Sequence, residues 1–288
     1  MKNNYLVLCN PESGKGNASK VCALFEQFLV KRNVEYQLFL KSYPSSLVEF
    51  TSLVIIGGDG TLNHVLNHFG TIKIPIAIIK GGTGNDYASL HLGNAKLEEQ
   101  FENALSGTPM WVDAGNCNGK LFINGAGIGF DGWVVKSSLG KKFFTGMAAY
   151  YSTILSLLLF YKESKVHISH DGEQFQSDMF MMSIAKGVTY GGGFKVAPMA
   201  QPNNGVFDII TIHKIGLLNR LRYLPVIEKG KHMHLPFVHH MQGTKLHIKA
   251  PHPLQAHLDG EWLESQEFEV ALLPKYFQFR SITLPQGG

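Results

Sequence analysis

Short apolar, β-branched runs alternate with longer amphipathic stretches over the first third of the chain. Tyr5–Cys9 reads as a strand, followed by a Pro/Ser/Gly/Lys loop and a helical period from about Ser19 to Arg32. Further strands are predicted near Glu35–Leu40, at 53–56 and at Ile74–Ile79, with a helix from Leu62 to about Phe69. This alternation predicts a parallel sheet covered on both faces, in which ligands sit beyond the carboxyl ends of the strands. From about Trp111 the pattern changes. Runs at Lys120–Asn124, Lys165–His170, Phe180–Ala185, Val206–His213, Lys245–Lys249 and Phe268–Leu273 are punctuated by Asp171-Gly172, Asn204-Gly205 and Asp259-Gly260. That spacing predicts an antiparallel sandwich with one or two inserted helices. The expected domains are 1–112 and 113–275, with a closing strand Tyr276–Thr283, and 276–288 generally, a candidate to complete the first.

The longest uncharged stretch, Met147–Tyr161, is bracketed by Lys141-Lys142 and Lys162. It falls short of the roughly 20 residues that span a bilayer. A buried helix is expected; the alternative is a helix lying in a membrane interface with its lysines near the headgroups.

Composition narrows the class. A chain of 288 residues with 44% hydrophobic and 17% charged residues can bury a substantial core. Its net charge of +4 suits an anionic nucleotide or an acidic membrane surface but is too small for a nucleic-acid footprint, so no nucleic-acid partner is expected. Cys9, Cys22 and Cys117 are odd in number and widely spaced, which argues for a reducing, cytoplasmic setting rather than a disulfide framework. The apolar run at the start is too short for a signal-peptide core. Homo-oligomerisation is left open.

Three glycine-rich loops lie at the ends of predicted strands: Asn10–Gly16, Gly57-Gly58-Asp59-Gly60-Thr61, and Gly81-Gly82-Thr83-Gly84-Asn85-Asp86. Each alone fits a tight turn as well as a phosphate cradle. Three on one sheet edge favour the cradle, because glycine lets backbone N–H groups approach an anion and a helix N-terminus attracts one. Thr61 is placed to cap the following apolar stretch. The first loop is neither a Walker A loop nor a dinucleotide fingerprint, since no Ser or Thr follows Lys15 and Ser19 stands at the third glycine position.

Taken in order, Asn-Pro-x-Ser-Gly-x-Gly at 10–16, Gly-Gly-Asp-Gly-Thr-Leu-Asn at 57–63, Gly-Thr-Gly-Asn-Asp at 82–86 and Asp259-Gly260-Glu261 closely resemble the diacylglycerol-kinase catalytic-domain family of lipid kinases, which includes sphingosine and ceramide kinases. The likeness extends to Gly191–Pro198 and covers nearly the whole chain. It implies an α/β nucleotide-binding domain followed by an antiparallel β-sandwich domain, with the active site in the cleft between them. The implied cofactors are ATP and Mg²⁺, and the implied partner is a membrane lipid reached by peripheral contact. Carried over, Asn10, Ser13, Gly14 and Lys15 cradle phosphates, and Gly57, Gly58, Asp59, Gly60 and Thr61 form the core phosphate and Mg²⁺ loop. Thr83, Asn85 and Asp86 complete the nucleotide site, and Asp113 or Asp131 extends the acidic network. The general base is Glu261 or Asp59.

Phosphoryl transfer needs in-line positioning, neutralisation of phosphate charge and a carboxylate for the attacking hydroxyl's proton, which these residue types supply. Two departures stand out. His64 replaces a family glutamate, and in the loop 201–208 only Asp208 remains as an acid for the family's structural metal site. The thirteen histidines include His232, His234, His239, His240 and His247, whose spacing reads as structural rather than metal-binding. Two alternatives stay open: a lipid- or nucleotide-binding regulator without turnover, and a soluble-substrate kinase of the NAD kinase type.

Overall fold

A computed structural model describes residues 4–139 and 147–282. They form two units, one of residues 4–113 with 274–282 and the other of residues 114–273 within the described range.

The first unit is built from β1 (Asn4–Cys9), α1 (Asn17–Lys31), β2 (Glu35–Leu40), β3 (Ser52–Gly57), α2 (Asp59–Phe69), β4 (Ile76–Lys80), α3 (Asp86–Leu92) and α4 (Leu97–Ser106), and then enters β5 (Thr108–Cys117). Its strands pair in parallel in the order β2-β1-β3-β4. Every residue of β3 is buried, as a central strand covered on both faces requires. Helix α1 turns Ala18, Val21, Cys22, Phe25 and Leu29 onto the sheet, one stripe of a 3.6-residue period.

Helix α2 begins three residues earlier than the sequence suggested, because Gly58 serves as its N-cap. Thr61 therefore lies inside the first turn and does not cap it. Helices α3 and α4 had no counterpart in the sequence reading.

The second unit contains β6 (Lys120–Phe122), β7 (Gly125–Gly129), α5 (Phe130–Ser138), α6 (Met147–Phe160), β8 (Ser164–His170), β9 (Glu173–Ala185), β10 (Phe207–His213), α7 (Leu217–Glu228), β11 (Val238–Gly243), β12 (Lys245–Leu258) and β13 (Glu261–Ser281). Neighbouring strands are antiparallel in the order β11-β10-β9-β7-β12-β13, and β8 pairs with both β9 and β12. The ladder of β12 is irregular between Lys249 and Leu254; before that point it pairs with β8 and after it with β7. Such a change of partner folds an antiparallel sheet over itself.

The core between these strands holds Phe122, Ile128, Val166, Ile168, Met182, Ile184, Phe207, Leu246, Ile248 and Phe268. A second cluster of Phe130, Val134, Ile154, Leu158, Phe180, Tyr190 and Phe194 lies beneath the helices.

β13 is one continuous strand where two were expected. Pro274 interrupts the apolar run, but the chain continues through it with Lys275 at φ +48°, and the closing residues return to the first unit, where Phe279 pairs with Ile76 of β4. Residue 283, the expected end of that strand, and the Lys141-Lys142 pair lie outside the described residues. The described cysteines are all buried and free. No helix among the described residues is long and apolar enough to cross a membrane.

Candidate active site

Because β1, β3 and β4 are parallel and adjacent, the loops that follow them leave one edge of the first unit. Those loops touch through their backbones. A Cβ added at Gly82 would lie 2.3 Å from Cα of Gly58, one at Gly58 2.7 Å from the carbonyl oxygen of Gly84, and one at Gly14 2.3 Å from that of Gly81. No side chain fits between the loops. In the first loop Gly14, Lys15 and Gly16 all have positive φ (+61°, +57° and +89°), a left-handed run in which an L side chain is strained. Lys15 accepts that conformation with its ammonium exposed at the edge. The Ser13 and Thr61 hydroxyls lie 3.0 Å apart and latch the first loop to the second.

Asp59 ties the second loop to the third. Its Oδ2 accepts the N–H of Asp86 at 2.9 Å and its Oδ1 that of Tyr87 at 3.1 Å, so it caps α3 from across the edge. Its own N–H donates to the carbonyl of Gly84 at 3.3 Å. A carboxylate held by two backbone donors points in one direction. Asn85 closes the third loop on itself, accepting from the N–H of Gly82 at 3.2 Å and donating to its carbonyl at 2.8 Å. Asn10 shapes the first loop by accepting the N–H of Glu12 at 3.2 Å. Thr83 and Gly60 are exposed. The Asp59 carboxylate thus sits at the N-terminus of the helix that opens with Asp86, beside backbone that leaves no room for side chains between the loops. Hard oxygen donors with room for water are the set Mg²⁺ accepts, so these residues fit a nucleotide–Mg²⁺ ligand.

In the second unit the Asp259-Gly260 turn is anchored rather than free. The Asp259 carboxylate accepts the N–H groups of Ile123, Asn124 and Gly125, each at 2.9 Å, and pins the β12–β13 hairpin to the start of β7. Glu261 follows at the first position of β13, exposed. His257, only 2% exposed, accepts the N–H of Gly260 at Nδ1 (3.2 Å). That assigns the ring proton to Nε2, which donates to Asp131 at 3.0 Å. Gly127 makes the pair possible: a Cβ there would lie 2.3 Å from Asp131 Oδ2 and 2.4 Å from His257 Nε2. Asp131 also lines an apolar cavity with Phe130, Ile154, Phe180, Phe194 and Leu224.

The remaining acids stand separately. Asp113, buried on β5, accepts the N–H of Lys275 at 2.9 Å. Asp208, buried on β10, accepts from Gln242 at 3.1 Å and pairs with His240 at 2.8 Å. The loop before β10 is filled by the fully buried ammonium of Lys186, which donates to Asn204 Oδ1 (2.6 Å) and to the carbonyl of Val206 (2.7 Å). Of the predicted acids, then, Asp59 holds the backbone N–H of Asp86, whereas Asp131 pairs with His257 and Asp208 with His240. Among the described residues no three His, Cys, Asp or Glu side chains converge on a metal position. His64 is exposed on α2, its ring 5.8 Å from that of Tyr43, and His232 is buried against the carbonyl of Val196 at 3.1 Å. His257 and Lys186 escaped the sequence reading. Their partners are distant in sequence and no local pattern marks them.

Residues 4–117 match the family model of the diacylglycerol kinase catalytic domain, and residues 125–280 that of the YegS C-terminal NAD kinase beta sandwich-like domain. The chain belongs to the diacylglycerol kinase-like family of lipid kinases. Within this family it is 30% identical over 233 residues to a YegS-like probable lipid kinase of Shewanella frigidimarina, covering 79% of this chain and 75% of that one. It is 28% identical over 227 residues to a diacylglycerol kinase of Bacillus subtilis, covering 76% and 73%. The fold is also that of a diacylglycerol kinase from Bacillus anthracis, with a TM-score of 0.72 at 20% identity over 97% of both chains. Membership of the lipid kinase family makes the chain a phosphotransferase by kinship, with an N-terminal α/β domain and a C-terminal β-sandwich-like domain.

Proposed function

We propose that the chain transfers the γ-phosphate of ATP, with Mg²⁺, to a hydroxyl of a membrane lipid such as diacylglycerol. The observation that carries this reading is the backbone-to-backbone packing of Gly14, Gly58 and Gly82 with their neighbouring loops, beside Asp59, whose carboxylate caps the helix that opens with Asp86. An edge cleared of side chains and rich in N–H groups suits a polyphosphate.

In this assignment Asn10, Ser13, Gly14 and Lys15 hold phosphate oxygens together with Gly57, Gly58, Gly60 and Thr61, while Thr83 and Asn85 complete the nucleotide's surroundings. Mg²⁺ supplies charge neutralisation on the phosphates when bound, and Asp59 and Asp86 are the residues that would hold it. The lipid character of the acceptor rests on the apolar cavity of the second unit, whose wall carries the single carboxylate of Asp131. Glu261, exposed and on a hairpin tip braced by Asp259 and His257, is the group proposed to accept the hydroxyl proton; Asp59 is the alternative base.

Transfer of labelled γ-phosphate to a panel of lipids in mixed micelles tests the reading. A labelled lipid supports it and names the acceptor. Nucleotide binding without any labelled lipid favours the regulator, a reading to which His64 in place of the family glutamate lends weight. A labelled soluble alcohol and no labelled lipid overturns the lipid assignment.

A further inference from the structure

Helices α6 and α7 each have two apolar faces. Their inward faces, Ile154 and Leu158 on α6 and Leu224 and Ile227 on α7, line the apolar cavity. Their outward faces leave Leu155, Leu159 and Phe160 exposed at 43%, 49% and 77%, and Leu217, Leu218 and Leu221 at 42%, 81% and 38%. The spacing is helical on both sides, so each set is a stripe and not a scatter. Arg220 joins the two helices. Its guanidinium donates to the carbonyls of Leu158 (2.9 Å), Tyr161 (2.8 Å) and Ile215 (3.1 Å) and pairs with Glu163 at 2.6 Å. The end of one helix and the start of the other are therefore held as one surface.

We propose that this surface docks on an anionic lipid bilayer, the two helices lying in the interface so that a lipid chain passes from the membrane to the cavity beneath them. The inference rests on the lipid-kinase reading and adds where the lipid is collected. Charge supports a bilayer as the occupant. Lys162, Lys214 and Arg222 are exposed at the margins of the stripes; of the two carboxylates in 147–163 and 214–228, Glu163 is already bound to Arg220 and Glu228 is the last residue of α7. Cations beside a leucine-rich helical face suit anionic headgroups above acyl chains. A second copy of the chain docked through the same face would bring a patch carrying the same cations and, among the described residues, no free partner acid beside the stripes. The helices lie on the membrane and do not cross it, since neither is long enough to span over its described residues.

The test is co-sedimentation of the full chain with vesicles of phosphatidylcholine and phosphatidylglycerol, for wild type and for Leu159→Glu and Leu218→Glu. Neither leucine lines the cavity or the glycine edge. Wild type is expected to sediment with the vesicles and to be released by salt, and each variant to lose about tenfold or more of its partitioning. Thermal unfolding of the variants stays as in wild type, because both side chains are exposed. Turnover of a short-chain, monomeric diacylglycerol is expected to be unchanged while turnover on vesicles falls.

Equal sedimentation of wild type and variants overturns the proposal. So does loss of self-association with vesicle binding intact, which would assign the face to a second copy. Vesicle binding that is lost in the variants, with no lipid phosphorylated by any form, supports the docking face and removes the substrate reading instead.

Discussion

The glycine edge of the first unit and the hairpin of the second achieve the same end by opposite means. At the edge, position is set by the absence of side chains: Gly58 and Gly82 pack backbone to backbone, and one carboxylate, Asp59, spans two loops. In the hairpin, position is set by side chains that reach far along the sequence. Asp259 gathers the N–H groups of residues 123–125, and His257 links Gly260 to Asp131. The first arrangement leaves a space for an anion to occupy. The second leaves one exposed acid, Glu261, on a braced support. Under the proposed assignment a phosphoryl donor and a proton acceptor need these different treatments, because the donor requires room and the acceptor requires aim.

Filling the space should have the largest effect on stability at neutral pH. Gly82→Ala drives a Cβ into the backbone of Gly58, and we expect a loss of about 3 kcal/mol in stability. Nucleotide affinity should fall roughly hundredfold by calorimetric titration. Near-native affinity would mean that the loops part freely and the close packing is incidental.

Asp59→Ala comes next. Loss of transfer of about a thousandfold is expected, with only about 1 kcal/mol of stability lost from the vacated cap of α3. A fully active variant would take Asp59 out of the site. Glu261→Gln provides the matching probe of the second unit: kcat should drop about hundredfold with nucleotide affinity and melting temperature unmoved. An unchanged kcat would eliminate Glu261 as the base.

Asp259→Ala separates support from chemistry. Three backbone donors lose their acceptor, so stability should fall by about 2–3 kcal/mol in denaturant titration, and Asp259→Asn should recover part of it. A larger deficit in kcat than in stability would show that the tip must be held for Glu261 to act.

The last expected effect is one of pH and belongs to the first unit. His91 on α3 is fully buried between Tyr87 and Phe279, and burial pushes its imidazole down to about 3. The unfolded chain takes up that proton near the ordinary histidine value of about 6.5. The contribution is therefore complete above that pH and is lost as pH falls towards 3, by up to about 1.4 kcal/mol per pH unit. Urea midpoints measured from pH 7 to 4 should slope for wild type and flatten for His91→Phe; parallel slopes would exclude His91 as the cause.

What could be read in the sequence follows the same division. The strands of the first unit announce themselves as apolar runs, and the glycine loops as clusters at their ends, because both signals are local. The start of α2 was misplaced where glycine, a good N-cap, was read only as a turn residue. Helix α3 is seven residues long and takes its cap from Asp59, far upstream, so nothing nearby marks it. Helix α4 did carry a local sign: Glu99 accepts the N–H of Lys96, the back-bond of a capping box. The runs Phe268–Leu273 and Tyr276–Thr283 were expected as separate strands, but β13 carries on through Pro274 with one left-handed residue, Lys275. The His257–Asp131 pair and the Lys186 plug join residues whose proximity only the folded chain creates.

The contact between Gly58 and Gly82 also constrains descent. Every replacement of glycine by another amino acid adds at least a Cβ, and at these two positions a Cβ meets main chain that cannot rotate away. Gradual retuning by neutral drift is closed to both positions. Under the proposed assignment, a lineage that changes its phosphate donor must vary the exposed neighbours, such as Lys15 and Thr83, while carrying the glycines forward intact.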